Sequence, residues 1–370
     1  MTLRSPVTRM TLRADTPHSL TDGEARWPVV DGIPYLRAGS EALAAEAVAA
    51  LDEDAADEAT ALLLAENDPW WDEAPPPHDV LLSAVREKDR LSLREVMDRL
   101  GWGRVGTYFA HRWSDPTFLA GLTLLEAHWR APESAFELAC GIGHYLRALS
   151  RAGVSSVSGA DVVFGKLWVC RHWVCPEADL LCFDADAAWP ATPAADLMLC
   201  ADAFYFLREK AAIAERLREG AGALYAVPHV HNAGAENHSA GAAARLDELR
   251  ALFPGAAIYD DAGLTEAGAA GKPVRAEMGD APDAFSLIGG PALGASALPC
   301  PLLRPEDGTP LRRNPLLTDQ GVAWPSPRYE EEYGPLATYG RPGVPNTAAM
   351  TEGVAPFVRT RELLDLPERW

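Results

Sequence analysis

The sequence predicts an α/β fold, a mostly parallel sheet covered by helices on both faces, and three observations carry it. From Ala135 to Gly290 strand-like and helix-like segments alternate, the pattern of a layered βαβ chain. "FELACGIGHYLRAL", residues 136–149, reads as a buried strand that breaks into a glycine-bearing turn and opens a helix. Acidic residues then recur where strands end, at Asp161, Asp184 and Asp202.

The elements follow in order. Residues 1–74 form a small β module and an acidic helix: "RWPVVDGIPYLRAG" gives two short extended runs about an Asp-Gly turn, and the Ala/Glu/Asp-rich stretch 40–67 is helical by composition and mostly a solvated face. "NDPWWDEAPPPHD" interrupts with prolines, Trp70 and Trp71 reading as a staple between module and core. Residues 75–132 keep helical periodicity with interspersed aromatics and form a cap. Residues 133–290 hold the strands "AFELAC", "VSSVSGAD", "ADLLCFD", "ADLMLCAD", "GALYAVPHV", "AAIYDD" and "DAFSLIGG". Residues 291–370 are proline-rich, yet Trp324, Tyr329, Tyr333 and Tyr339 anchor them, so this extension is expected to wrap the core.

Composition removes several function classes. The 33 Lys and Arg against 53 Asp and Glu give a net charge of −20 over 370 residues, with no basic run to track a phosphate backbone. Nucleic acid is therefore not an expected partner. Nor is a membrane, since no apolar run is long enough to span one, and a soluble, cytoplasmic protein is expected. The six cysteines, at 140, 170, 175, 182, 200 and 300, suit small buried thiols in a reducing compartment. Cys170 and Cys175 in "VCRHWVC" read as core packing.

The glycine turn decides what is held. A dinucleotide fingerprint would place a third glycine where Leu146 stands, and Glu137 lies in the strand four positions before Gly141. Both disfavour an NAD-dependent oxidoreductase, and Glu137 favours a ligand with positive charge. The series "ELACGIG", "GADVVFGKLWVCRHWV", "LLCFDADAAWP" and "DLMLCADAFYFL" resembles the class I S-adenosylmethionine-dependent methyltransferases, in order and spacing. The resemblance spans Ala135 to Gly290 and implies a Rossmann-like, doubly wound seven-stranded sheet with the last strand antiparallel. It implies that Gly141 and Gly143 let the backbone approach the methionine part of S-adenosylmethionine, with Glu137 on the ammonium side. Asp161, 20 residues past Gly141, would hold the ribose hydroxyls beside Val162. Asp184 and Ala185 would meet the adenine, and Ala201 and Asp202 the reacting end. Tyr145 departs from the family's glycine pattern in this turn.

After the fifth strand, "VPHVHNAGAENHSAG" brings His229, His231 and His238 to the rim where an acceptor would sit. His229 and His231, two apart at a strand end, point to one side if extended geometry persists. With Asp202 they are the candidate bases for an oxygen acceptor. Tyr108, His111 and Arg112 of the cap, with Tyr205 and His238, are the candidate acceptor contacts. A similar histidine-rich stretch occurs in some methyltransferases of glycan and natural-product clusters, and "DGIPYLR" resembles the zinc-ribbon module ahead of them. Without a cysteine before position 140 the module is a degenerate one, and no metal is expected. The reading is transfer of a methyl group to oxygen or nitrogen of a small-molecule, glycan-type or natural-product acceptor. The alternative is a non-catalytic binding or scaffold protein that keeps the fold. A homodimer stays open.

Overall fold

The computed structural model describes residues 2–66, 74–237, 240–275, 282–341 and 343–370; Trp70, Trp71 and His238 lie outside the described residues. The N-terminal unit is an antiparallel meander of β1 (Arg13–Thr16), β2 (Ser19–Thr21), β3 (Arg26–Val30) and β4 (Ile33–Pro34). Asp31 and Gly32 take φ of 50° and 74°, which a tight hairpin requires and Asp-Gly supplies. The unit is joined to the core by its turn and its exit. The Asp31 carboxylate accepts from Trp168 Nε1 at 3.0 Å and meets His172 Nε2 at 2.8 Å, and Leu36 N–H donates to the Cys182 carbonyl at 2.8 Å. The acidic stretch is two helices, α1 (Glu41–Asp52) and α2 (Ala56–Leu64). It is less solvated than its composition suggests, because Ala44, Ala47, Leu51, Ala59, Leu63 and Leu64 form a buried stripe.

The cap consists of α3 (His78–Glu87), α4 (Leu93–Arg99), α5 (Gly103–His111) and α6 (Pro116–Ala127). Ser92 and Glu95 close a capping box at the start of α4, satisfying donors that the first helical turn leaves open. α6 starts on Pro116 and buries Phe118, Leu119, Leu122, Leu124 and Leu125, so it is a core helix, apolar on all sides.

Among the described residues the main sheet has seven strands: β5 (Ser134–Leu138), β6 (Ser156–Asp161), β7 (Asp179–Cys182), β8 (Ala195–Leu199), β9 (Ala221–His231), β10 (Ala257–Asp260) and β11 (Ala284–Gly289). Every segment read as a strand from the sequence forms one. Their spatial order is β10-β11-β9-β8-β5-β6-β7, and β11 runs antiparallel to both neighbours while the pairs among β5 to β9 are parallel. The fold is therefore the doubly wound sheet that the sequence predicts. Alternation sends Phe136, Leu138, Met198 and Tyr225 to one core and Ala135, Leu197 and Leu224 to the other. The covering helices are α7 (His144–Arg151), α8 (Phe164–Val169), α9 (Lys210–Gly220), α10 (Leu246–Leu252) and α11 (Asp261–Ala270). Strand order reverses between β5 and β8, and in sheets of this kind the ligand crevice lies outside the carboxyl ends at that point.

The turn from β5 to α7 carries three consecutive odd residues, Ala139, Gly141 and Gly143, at φ of 53°, 55° and 86°. A Cβ at Gly143 would collide with Cys170 Sγ, and one at Gly141 would lie 3.2 Å from the Phe109 ring.

Residues 291–370 add β12 (Pro310–Arg313), β15 (Thr347–Ala349) and β16 (Leu363–Leu364) in one small sheet, a hairpin of β13 (Leu317–Thr318) and β14 (Gly321–Val322), and α12 (Pro327–Tyr333). Tyr329, Tyr333 and Tyr339 are buried in a separate small core with Leu311, Leu316 and Met350. The extension grips the cap. Arg361 Nε donates to the Trp113 carbonyl at 2.8 Å, Ser114 Oγ to Asn314 Oδ1 at 3.0 Å, Trp370 Nε1 to the Ala110 carbonyl at 2.8 Å, and Tyr329 Oη to Asp115 Oδ1.

Two predictions follow from these contacts. Asp115 is 0% exposed and its Oδ2 has no hydrogen-bond partner. Burial pushes its carboxyl from the ordinary 3.8 up to about 7, against the pull of Arg112 and of the Tyr329 hydroxyl. The folded chain thus keeps a proton that the unfolded chain releases, so this group's contribution is complete below pH 3.8 and is lost as pH rises toward 7. Asp115→Asn should remove that loss, its stability relative to the parent rising by on the order of a few kcal/mol between pH 4 and pH 7. Parallel pH dependence of the two melting temperatures would contradict it. Gly143→Ala should cost about 1–3 kcal/mol in urea unfolding. Adding Cys170→Ala removes the collision but not the positive φ, so only part of the loss should return, and full recovery would show that the backbone carries no strain.

Candidate functional site

The site is built from five strands, β5 to β9. Asp161 closes β6 and is 5% exposed. Its Oδ2 accepts from the Gly141 N–H at 3.0 Å and its Oδ1 from the Val163 N–H at 3.0 Å, so one carboxylate sets both the glycine turn and the start of α8. Each carboxylate oxygen keeps a second lone-pair direction, and Lys166 Nζ stands 3.8 Å from Oδ1. Val162 is half-buried, and its carbonyl accepts from Arg37 Nη1 at 3.2 Å, which ties the N-terminal unit to this loop. After β7, Asp184 is half-buried and holds a turn through the Asp186 N–H at 2.9 Å. The buried Ala185 follows, its carbonyl accepting from Trp189 Nε1 at 2.8 Å.

Beneath the turn, Glu137 of β5 is 2% exposed and its Oε2 has no hydrogen-bond partner. Burial pushes its carboxyl well up, with Arg112 pulling the other way. Phe109 of α5 lies over Gly141, and His144 Nε2 donates to the Phe109 carbonyl at 2.9 Å. Leu146, at the place of the missing third glycine, is fully buried, and Tyr145 packs edge-on against Phe118 with ring centroids 4.8 Å apart.

At the end of β8, Ala201 is buried and Asp202 takes φ of 51°. The Asp202 N–H donates to the Pro228 carbonyl at 2.9 Å, which couples the β8 and β9 ends. Its side chain gathers three cap and loop residues. Tyr108 Oη donates to Oδ2 at 2.6 Å, Arg112 Nη2 pairs with Oδ2 at 3.1 Å, and Tyr205 Oη donates to Oδ1. Burial opposes the charge, but Arg112, His229 and the two hydroxyls hold Asp202 below the usual carboxylate range. Arg112 itself is 3% exposed and lies 5.4 Å from the Tyr108 ring centroid and 5.7 Å from that of Phe118.

His229 does not sit on the rim in an extended strand. It is buried, at φ of 56°, where the register of β9 against β11 shifts beside Ser286. A bulge there re-aims the side chain. Its backbone N–H donates to Ser286 Oγ at 2.9 Å, Ser286 Oγ donates to Asp261 Oδ1 at 2.6 Å, and Asp261 Oδ2 meets His229 Nδ1 at 2.7 Å. A carboxylate only accepts, so Nδ1 carries the proton. The other nitrogen, Nε2, lies 3.7 Å from Asp202 Oδ1. Burial works against the imidazolium, but Asp202 and Asp261 outweigh it and raise the His229 pKa above the ordinary histidine value. His231 is half-buried, its ring 4.7 Å from that of His229 and 4.6 Å from that of Tyr205.

His111 is placed elsewhere. It is buried, lowered to a pKa of about 4 by burial and then by Arg94, and lines an 810 Å³ cavity with Arg94, Met97, Leu316 and Trp370. Tyr108, on the other side of α5, and Arg112, in the turn that follows α5, reach Asp202. Asp261, Ser286, Phe109 and Lys166 are not among the residues singled out from the sequence. For Ser286 a signal was available, a lone hydroxyl in the apolar strand "AFSLIG". Among the described residues no three His, Cys, Asp or Glu are grouped to hold a metal ion.

No family model matches the chain, and no curated protein does. Solved structures that it resembles include the plantazolicin methyltransferase BpumL in complex with a triazolic desmethylPZN analog and SAH, at 13% identity and a TM-score of 0.38, covering 53% of this chain and 93% of that one. DesVI of Streptomyces venezuelae overlaps at 13% identity and 0.36, covering 50% and 96%. Phosphoethanolamine N-methyltransferase 2 of Haemonchus contortus, in complex with S-adenosyl-L-methionine, overlaps at 15% and 0.35, covering 46% of each chain. These are partial overlaps, and the fold assignment stands on strand order and register.

Proposed function

We propose that this chain is an S-adenosylmethionine-dependent methyltransferase acting on an oxygen or nitrogen of a small-molecule, glycan-type or natural-product acceptor. The observation that carries the reading is a positive-φ glycine turn locked by a strand-end carboxylate, Gly141 to Asp161 at 3.0 Å, at the reversal of strand order. The residues fit the cofactor. At Gly141 a side chain would press on the Phe109 ring that covers the turn, and Oε2 of Glu137 beneath it, which has no hydrogen-bond partner, suits a ligand bearing cationic groups. Gly141, Gly143 and Glu137 would take the methionine end, Asp161 and Val162 the ribose, Asp184 and Ala185 the adenine, and Ala201 would line the reacting end. When bound, the cofactor supplies a methyl group on a positively charged sulfur, already activated for transfer.

The chain's task is then alignment and exclusion of water. Asp202 acts as organiser: with Tyr108, Tyr205 and Arg112 on its two oxygens, it fixes the cap against the β8 end. Phe109 closes over the turn from the same helix.

Separate calorimetric titrations with S-adenosylmethionine, S-adenosylhomocysteine and NAD test the reading. The first two should bind and NAD should not; binding of NAD alone would reverse it. Asp161→Ala should weaken S-adenosylhomocysteine by about 1.5–3 kcal/mol, the scale of hydrogen bonds to a charged group. An unchanged affinity in a variant that still melts cooperatively would remove Asp161 from the site.

A further inference from the structure

Resting on the reading that the crevice holds a methyl donor, we propose that the acceptor is a phenolic hydroxyl and that its proton passes to His229 Nε2, with Asp261 and Ser286 as positioning residues. The support is the closed ring of hydrogen bonds from His229 N–H to Ser286 Oγ at 2.9 Å, on to Asp261 at 2.6 Å and back to His229 Nδ1 at 2.7 Å. That ring fixes three things at once: the unusual backbone, the plane of the imidazole and the tautomer. With its proton on Nδ1, the ring presents a basic Nε2 toward the β8 end of the crevice.

Asp202, the carboxylate at the β8 end, is a poor base. Both its oxygens already accept hydrogen bonds and its pKa is depressed, burial being outweighed first by Arg112. Its place 3.7 Å from Nε2 gives it a different use. As the acceptor oxygen bonds to carbon, its O–H bond breaks, the electron pair stays on oxygen, and the proton forms the new N–H at Nε2. The product imidazolium then lies between two carboxylates, Asp261 on Nδ1 and Asp202 beside Nε2. The other groups facing His229 are Arg112, which opposes the charge, and Tyr205 and His231. An amine acceptor present as the free base needs no such device. The approach to His229 is aromatic: Tyr205 packs on Phe206 with centroids 4.6 Å apart, and on His231. Tyr205 is buried, while Phe206 and His231 are half-buried, and the ring surface these two keep toward solvent suits an aromatic ring carrying the hydroxyl. The His229 side chain keeps 11% of its surface exposed.

The test uses the whole chain saturated with S-adenosylhomocysteine and 4-nitrophenol as probe, whose anion alone absorbs in the visible. Below the pH at which the free probe is half ionised, bound probe should show about three times more anion than free probe, a shift of roughly half a pKa unit. His229→Gln and Asp261→Asn should return it to the free level while calorimetric affinity for S-adenosylhomocysteine stays within about twofold, 0.4 kcal/mol. Ser286→Ala, the mildest change, should give an intermediate signal. Colour in His229→Gln equal to the parent overturns the proposal, as does a parent that binds S-adenosylhomocysteine yet gives no saturable colour. Failure of S-adenosylhomocysteine to bind the parent would instead overturn the methyl-donor reading beneath it.

Discussion

The buried guanidinium of Arg112 is the interaction on which the rest of the site depends. A charge withdrawn from water is tolerated only when paired and hydrogen-bonded. Arg112 stands 3.1 Å from Asp202 and 3.9 Å from Asp115, and its other contacts are Thr117 and the faces of Tyr108 and Phe118. One cation does not ionise two buried carboxyls equally. The closer one, Asp202, is held charged; Asp115, farther off and fully enclosed, is pushed toward its neutral form. The same cation thus separates an anionic organiser at the crevice from a carboxyl that the extension secures through Tyr329. Cap and core meet at this residue, and the extension joins them through Tyr329 on the neighbouring Asp115.

The sheet was legible in the sequence because its signals are local. Each buried strand is a short apolar run bounded by turn residues, and the helices between them are amphipathic or capped, so all seven strands could be drawn without knowing their neighbours. The glycine turn was legible for the same reason, since only glycine fits where a Cβ meets Cys170. Asp161 and Asp202 were legible as strand-end carboxylates, but not what occupies them. Asp161 is engaged by two backbone amides, and Asp202 by residues 94 and 90 positions earlier in the chain. Such long-range partners leave no periodic trace.

His229 shows the limit more sharply. Alternation along β9 predicts that His229 and His231 share a face, and their rings do lie together. The reason is not alternation. A bulge after Pro228 and a left-handed backbone at His229 place its ring inward, and the fixing groups come from α11 and β11. A single strand's sequence does not carry the register of its partner. Likewise His111, one residue from Arg112, turns into a separate cavity because α5 ends at His111 and the chain turns at Arg112.

Left-handed backbone at Ala139, Asp202 and His229, three residues other than glycine, falls at the ends of the three adjacent strands β5, β8 and β9. Each costs about 1–3 kcal/mol and persists only where the surroundings over-determine it. Here they do. The Ala139 turn is bounded by the Gly141 to Asp161 hydrogen bond, the Asp202 backbone is tied to the Pro228 carbonyl, and the His229 backbone is tied to Ser286. Five other residues besides glycine, Arg9, Asp31, Asp54, Ala131 and Arg361, take positive φ elsewhere, so what sets these three apart is their place at adjoining strand ends beside the reversal point. What the strained backbone does at Asp202 and His229 is bring their side chains to within 3.7 Å of each other at the ends of β8 and β9. The cap then lays Phe109 and Tyr108 across the crevice, and the extension holds the cap in place through Trp113, Ser114 and Asp115. The sheet thus supplies the charged groups, and the added segments supply their enclosure.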